Sequence, residues 1–229
     1  MSRLGRRAVR LMALSFVAIT LALGATSDAV ADFSGTNPSG AWSYGWVAVG
    51  STDTTAFQLF DTYQTGLLAT TVDSWTLAGG SQPVVAQNAG PDDVTYPSGY
   101  LAGIIQPASL LLLHPGAAGD WAVLRWTAPS SGVYSIDGYF ENIDVQPVVV
   151  DISIGGTLSA GGPFTVDPYG TDFYTIGQLF FTAGQTLDFV VESGGAGATA
   201  DISNIPEPAS LLLLGIGLLG LGFLKKRRA

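Results

Sequence analysis

The sequence has no cysteine and only one histidine, His114. Without cysteine there is no disulfide framework, no thiolate nucleophile and no lipid-modified N-terminal residue. Positive charge is almost missing from the middle of the chain. Between Asp32 and Ile205 the only base is Arg125; every other Lys and Arg falls within the first ten positions or the last five. Of the 18 acidic residues, all but Asp28 and Glu207 lie in that same stretch. A surface so poor in cations repels phosphate backbones and anionic lipid, so nucleic acid is not an expected partner. A G-x-S-x-G nucleophile elbow is also lacking, and with one histidine and no cysteine, nucleophilic catalysis has little to work with. The middle region holds no 3.6-residue apolar period over twelve residues, which excludes long amphipathic helices there.

Turns and aromatics are abundant. Thirty glycines, 12 prolines and 10% aromatic residues suit a turn-rich all-β fold and are too aromatic for disorder. A chain of 229 residues allows one or two domains.

Both ends read as processing signals. The N-terminus runs from the basic "MSRLGRRAVR" through the apolar "LMALSFVAITLALGA" to "TSDAVA". This is the layout of a secretory signal peptide, residues 1–31, with small residues Ala29 and Ala31 before the cut. Signal peptidase is then a partner and Asp32 the expected first mature residue. At the other end, residues 209–224 carry no charge and include eight leucines. At ~1.5 Å per residue they span about 24 Å, and the preceding Pro206, Glu207 and Pro208 extend the reach toward a membrane core of about 30 Å. Lys225, Lys226, Arg227 and Arg228 stop the transfer and, like the N-terminal arginines, favour the cytoplasmic side. The segment between the two ends is therefore exported.

The Pro-Glu-Pro turn, apolar helix and basic terminus, in that order and with a signal peptide, resemble the PEP-CTERM sorting signal. Pro206, Glu207 and Pro208 match its motif, 209–224 its helix and Lys225 to Arg228 its basic tail. The resemblance implies recognition by exosortase, an inner-membrane intermediate, and delivery to the cell surface or beyond it, often with exopolysaccharide and biofilm. Two prolines also deny helix to the segment before the membrane, leaving an extended peptide for a membrane enzyme. No L-P-x-T-G signal competes with it.

Residues 32–204 form the expected exported domain, followed by the sorting tail 205–229. Its runs alternate with period two. "GVYSIDGYF" puts Tyr134, Ile136 and Phe140 on one face, "PVVVDISIGG" puts Val148, Val150, Ile152 and Ile154 together, and "QTLDFVVES" sets Leu187, Phe189 and Val191 against Asp188 and Glu192. Turn clusters such as "APSSG", "DPYG" and "TAGQ" separate them. The fold class is all-β, a two-sheet β-sandwich of jelly-roll type. The run Ala108–Leu113 does not alternate and is too short to cross a membrane, so it reads as a central strand buried on both sides. The segments "GAWSYGW", "LLHPG", "VLRWTAPSSGVYSIDGYFENID" and "LDFVVESGG" are similar to a sandwich domain of exported PEP-CTERM proteins. That likeness implies a jelly roll similar to carbohydrate-binding modules.

Candidate chemistry is sparse, and the chain reads as a non-enzyme. Asp92, Asp93, Asp137, Glu141 and Asp144 could supply a carboxylate pair, but solvated strand and loop positions are the default reading for them. His114, before a proline at a strand end, reads as a structural hydrogen-bonding group. Trp42, Tyr44 and Trp46 share one strand face, either as a sugar-stacking platform or as a core strip; Gly45, Val47 and Val49 favour the core. No cofactor is expected. Calcium is the plausible ion, with Asp167 and Asp172 around one turn and Glu141, Asn142 and Asp144 around another. Arg125, on the face of Trp121, Val123 and Thr127, reads as a paired guanidinium lying on aromatic or acidic neighbours. The function expected is a surface or extracellular-matrix component sorted by exosortase; the alternative is a carbohydrate-binding module delivered to exopolysaccharide.

Overall fold

Period-two alternation becomes strand after strand. The computed structural model describes residues 26–158 and 163–205. Residues 1–25 of the expected signal peptide 1–31, Pro206, Glu207 and Pro208, the segment 209–224 expected to be a helix, and Lys225 to Arg228 lie outside the described residues. Among those described, no helix is long and apolar enough to cross a membrane.

Two antiparallel sheets face each other. The first has eight strands: β15 (Thr171–Phe181), β11 (Gly132–Asn142), β17 (Ala196–Ile205), β9 (Leu111–His114), β6 (Val84–Asn88), β5 (Val72–Thr76) and β4 (Thr62–Thr65) in that order, with β1 (Thr26–Asp28) also paired to β17. The second has β13 (Thr157–Leu158), β12 (Val148–Ile154), β16 (Thr186–Ser193), β10 (Trp121–Thr127), β2 (Trp42–Val47) and β3 (Gln58–Leu59), with β14 (Phe164–Val166) on β12. A two-stranded hairpin of β7 (Val94–Thr95) and β8 (Ile105–Gln106) stands apart. The architecture is an all-β sandwich.

The inward residues of both sheets make the main core. Tyr134, Ile136 and Phe140 from β11, Leu187, Phe189 and Val191 from β16, and Val148, Val150 and Ile152 from β12 are all buried in it. Trp126 closes one end, edge-on to Tyr134 at 4.9 Å and to Phe181 at 5.4 Å between ring centroids. Such T-shaped pairs add about 0.5–1.5 kcal/mol each beyond their buried area.

Strand β9 is the central element. Leu111 and Leu113 face the main core, whereas Leu110 and Leu112 join a second cluster on the outer side of the same sheet. All four are fully buried. The outer cluster is roofed by the segment carrying β7, β8 and the 3₁₀ turn Gly99–Leu101, through Tyr96, Leu101 and Ile104. Gln106 ties this roof down: its Nε2 donates to Ala86 O at 3.2 Å and Leu110 O at 2.9 Å, and its Oε1 accepts from the Tyr96 hydroxyl.

The second sheet is also covered on its outer face, and there the expectation needs correction. Asp188 was expected opposite the apolar face of β16, on the solvent side; it is fully buried. The cover is the loop ahead of β3. Arg125 forms a bidentate pair with Asp188, Nε to Oδ1 at 2.7 Å and Nη2 to Oδ2 at 2.8 Å, and donates to Thr54 O at 3.0 Å. The Thr54 hydroxyl donates to Asp188 Oδ2 at 2.5 Å and shares a hydrogen bond with Ser153 Oγ at 2.8 Å. The guanidinium lies 4.0 Å over the Phe57 ring. The only base of the middle region is therefore internal, on an aromatic ring and an acid, as its position among Trp121 and Val123 suggested.

The sandwich also uses residues ahead of Asp32. Strand β1 pairs with β17, and Ala29 is fully buried in the main core.

Two outcomes test this packing. Arg125→Leu strands a buried carboxylate and should cost about 3–5 kcal/mol, whereas Arg125→Met combined with Asp188→Leu should recover most of that loss; urea midpoints measure both. The second concerns His114, at the end of β9. Its Nδ1–H donates to Pro115 O at 2.8 Å and its ring meets Tyr100 edge-on at 4.6 Å. Burial holds its imidazole below the ordinary 6.5, against the opposing pull of that hydrogen bond and of Asp144. The unfolded chain takes up the proton first, so stability should fall as pH drops below about 6.5 toward the lower folded value. Denaturation of His114→Gln between about pH 7 and pH 5.5 should show a flatter dependence than the parent.

Candidate functional site

The aromatic strip is core. Trp42 is 1% exposed and Tyr44 fully buried, while Trp46 is half-buried against the same cluster. Their strand neighbours across the ladder are Trp126, Leu124 and Ala122, themselves inward-facing. The Trp42, Tyr44 and Trp46 faces are thus not a platform for sugar: the sandwich uses large rings to fill the gap between its sheets.

A different concavity lies where the roof over the first sheet meets the end of β11. It is a cleft of about 680 Å³, within the size range of small-ligand sites. One wall is the segment from the 3₁₀ turn through β8, presenting Tyr100, Ile104, Ile105 and Pro107; the other is the end of β11, presenting Glu141, and the loop after it, presenting Asp144 and Val145, with Tyr169 at the rim. Ile105, Val145 and Tyr169 are 52%, 59% and 71% exposed. Apolar surface is therefore offered to solvent next to two carboxylates.

Local chemistry explains the shape. Asn142, fully buried at the end of β11, donates from Nδ2 to Gln146 O at 2.8 Å and Val166 O at 3.0 Å, and its Oδ1 accepts from Asp144 N at 2.8 Å. Its backbone N–H donates to Gly170 O at 2.9 Å. One side chain thus knots the 142–146 loop to the Asp167–Gly170 turn. That turn, Asp-Pro-Tyr-Gly, is closed by Gly170 N–H donating to Asp167 O at 2.8 Å, and its third residue, Tyr169, has φ of 58°. Among the described residues it is the only non-glycine in the left-handed region. Glycine or asparagine ordinarily takes this position. A tyrosine there costs about 1–2 kcal/mol, and strain of that kind gathers at functional sites.

Behind the cleft, the Tyr100 hydroxyl donates to Ser81 O, and burial pushes its phenol well above the ordinary value. Tyr139 is raised too, by burial first and then by the charge of Glu141. Both phenols stay neutral near pH 7, so the acids carry the negative charge of the site.

The structure brings Glu141, Asn142 and Asp144 together and leaves the other candidate acids elsewhere. Asp137 is exposed further down β11, and Asp92 and Asp93 are exposed in the loop before β7. Asp167 and Asp172 are exposed at either side of the Tyr169 turn. Among the described residues no group of three or more His, Cys, Asp or Glu could hold a metal ion. His114 backs onto the cleft through Tyr100, and its hydrogen bond is the structural one expected. Reading by sequence missed Tyr169, Tyr100 and Ile105. One signal was available: "DPYG" has a bulky ring where its turn type asks for glycine.

No curated protein matches the chain in sequence. Among solved structures it is similar to a family 36 carbohydrate-binding module of a xylanase from the hindgut metagenome of Trinervitermes trinervoides, with 14% identity, 52% of this chain and 90% of that one covered, and a TM-score of 0.30. It is similar to a family 35 carbohydrate-binding module from Clostridium thermocellum at 12% identity, 58% and 87% coverage and a TM-score of 0.28. Against a Podospora anserina β-(1,4)-mannanase that includes a family 35 module, identity is 13% and the TM-score 0.30; 48% of this chain is covered but only 23% of the mannanase. Residues 204–228 match the PEP-CTERM protein-sorting motif, so the chain carries the sorting signal of an exosortase-processed protein exported through a membrane-anchored intermediate to the cell surface.

Proposed function

We propose that the sandwich is a non-catalytic glycan-binding component of the cell surface, delivered by its sorting tail to neutral exopolysaccharide. The observation that carries this reading is the exposed Tyr169 ring, held in a strained conformation over a cleft with two carboxylates and bare apolar walls. A flat ring suits the apolar face of a sugar, and carboxylates accept from its hydroxyls. The choice of a neutral glycan follows from charge. Glu141 and Asp144 line the cleft, and the one base of the middle region is engaged internally with Asp188. Uronate-rich or sulfated chains would meet only like charge.

Position supports display. Glu141 and Asn142 pair with Gly197 and Ala196, at the start of β17, while the chain leaves toward the sorting motif from Ile205 at its other end. The cleft thus lies about 30 Å along the strand from the point where the chain leaves toward the sorting motif.

A second reading, a matrix component built by association between copies, has its own observation. Strand β15 is an eleven-residue sheet edge with Phe173 and Phe180 75% and 62% exposed, and such edges favour strand pairing. Sedimentation showing stable oligomers without glycan would favour it.

The glycan reading is tested on an array of neutral and anionic polysaccharides. The exported protein should be retained by neutral glycans and not by uronate polymers. Tyr169→Gly should lower affinity about tenfold or more, equivalent to ~1.4 kcal/mol, with the melting temperature unchanged or raised because the backbone strain is relieved. Loss of binding together with loss of fold, or shortening of the bound glycan over time, would count against a non-catalytic binder.

A further inference from the structure

The alanine pair Ala29 and Ala31 favours a leader cut after Ala31, yet the six residues that cut would remove are part of the sandwich. Thr26, Ser27 and Asp28 pair with Ser203, Ile202 and Asp201 of β17. Ala29 is fully buried in the main core and Val30 packs against it. Gln87 donates from Nε2 to Val30 O at 2.6 Å. The Ala31–Asp32 bond itself lies in a closed turn: Asp32 N–H donates to Asp28 O at 2.9 Å, and Asp28 Oδ1 accepts from the N–H groups of Val30 and Ala31, both at 2.9 Å. A chain beginning at Asp32 would leave the edge of β17 bare beyond β9, an empty site where Ala29 sits, and a Gln87 amide deprived of its acceptor.

We propose that signal peptidase cuts before Thr26, at the Gly24–Ala25 bond, and that residues 26–31 are a permanent strand and turn of the mature protein. The sequence offers the required pattern seven residues upstream. Ala22 and Gly24 are small residues at the third and first positions before that bond, and the apolar run from Leu11 to Leu21 is long enough to precede it. Water adds across the bond, so the leader leaves with a carboxylate on Gly24 and the mature chain begins with the amine of Ala25. The ladder supplies a second argument. Because Thr26 lies opposite Ser203, the chain enters the sandwich at the end from which Ile205 leaves it. Both apolar signals are then attached at one end of the domain.

The full chain, exported in a bacterial host and recovered from the cell surface or medium, is tested by mass spectrometry of its N-terminal peptide. A terminus at Ala25 is expected. Any terminus beyond Ala25, Asp32 above all, or a product that keeps residues 1–24, overturns the proposal. Two single changes separate the sites. Gly24→Gln should block or displace the cut and accumulate precursor. Ala31→Gln, at an exposed position, should leave the terminus and the yield of exported protein as they are; precursor accumulating with Ala31→Gln but not with Gly24→Gln overturns the proposal as well.

Discussion

Leu111 and Leu113 point into the sandwich while Leu110 and Leu112 point out of it, and water reaches neither pair. Burying a leucine side chain contributes about 1.5–3 kcal/mol, so leaving the outer pair uncovered would sacrifice a large share of a stability that is ordinarily about 5–15 kcal/mol. The first sheet must therefore be roofed. The segment from β7 to β8 does this, pinned by Gln106 to the backbone beneath it. A roof has an edge, and the cleft lies along that edge, where Tyr100 and Ile105 meet the loop after β11. The place of the candidate site thus follows from the two-sided burial of one short strand.

Much of this was legible in the sequence. Alternation in β11, β12 and β16 gave the inward faces, and the unbroken run before His114 identified the central strand. The lone arginine among Trp121 and Val123 pointed to an internal guanidinium. The partners were harder. Asp188 looked solvated because alternation reports two faces of a strand and says nothing about a loop arriving from Thr54, 134 residues away. The strip Trp42, Tyr44 and Trp46 was ambiguous for the same reason: three rings on one face look alike whether they meet sugar or the opposite sheet. The cleft was least legible. It is assembled from the Gly99–Pro107 segment, the end of β11 and the Tyr169 turn, and no periodicity links those segments. The strained tyrosine was written in "DPYG", but its backbone angle is visible only in three dimensions.

Charge and architecture act together. With Arg125 engaged by Asp188 and Thr54, the middle region has no cation left for its outer surface. Like-charged domains resist clumping at high local concentration. The same imbalance narrows what can approach the cleft. An anionic molecule in the cleft would meet like charge from Glu141 and Asp144.

The antiparallel pairing of β11 and β17 has a mechanical side. Ten residue pairs join the two strands, from Val133 opposite Ile205 to Asn142 opposite Ala196. The sorting tail continues from one end of β17, and the cleft loop continues from the far end of β11. If the protein is held by its tail and pulled at the cleft, the two strands are drawn past each other lengthwise. Every hydrogen bond between them then carries load together, and none opens ahead of the rest as it would if the strands were peeled apart. A ladder loaded in this way resists sudden tension far better than its equilibrium stability alone would suggest, because rupture is governed by the unfolding barrier. The direction in which the chain threads its sheet makes the sandwich stiff along the line from the tail end of β17 to the cleft.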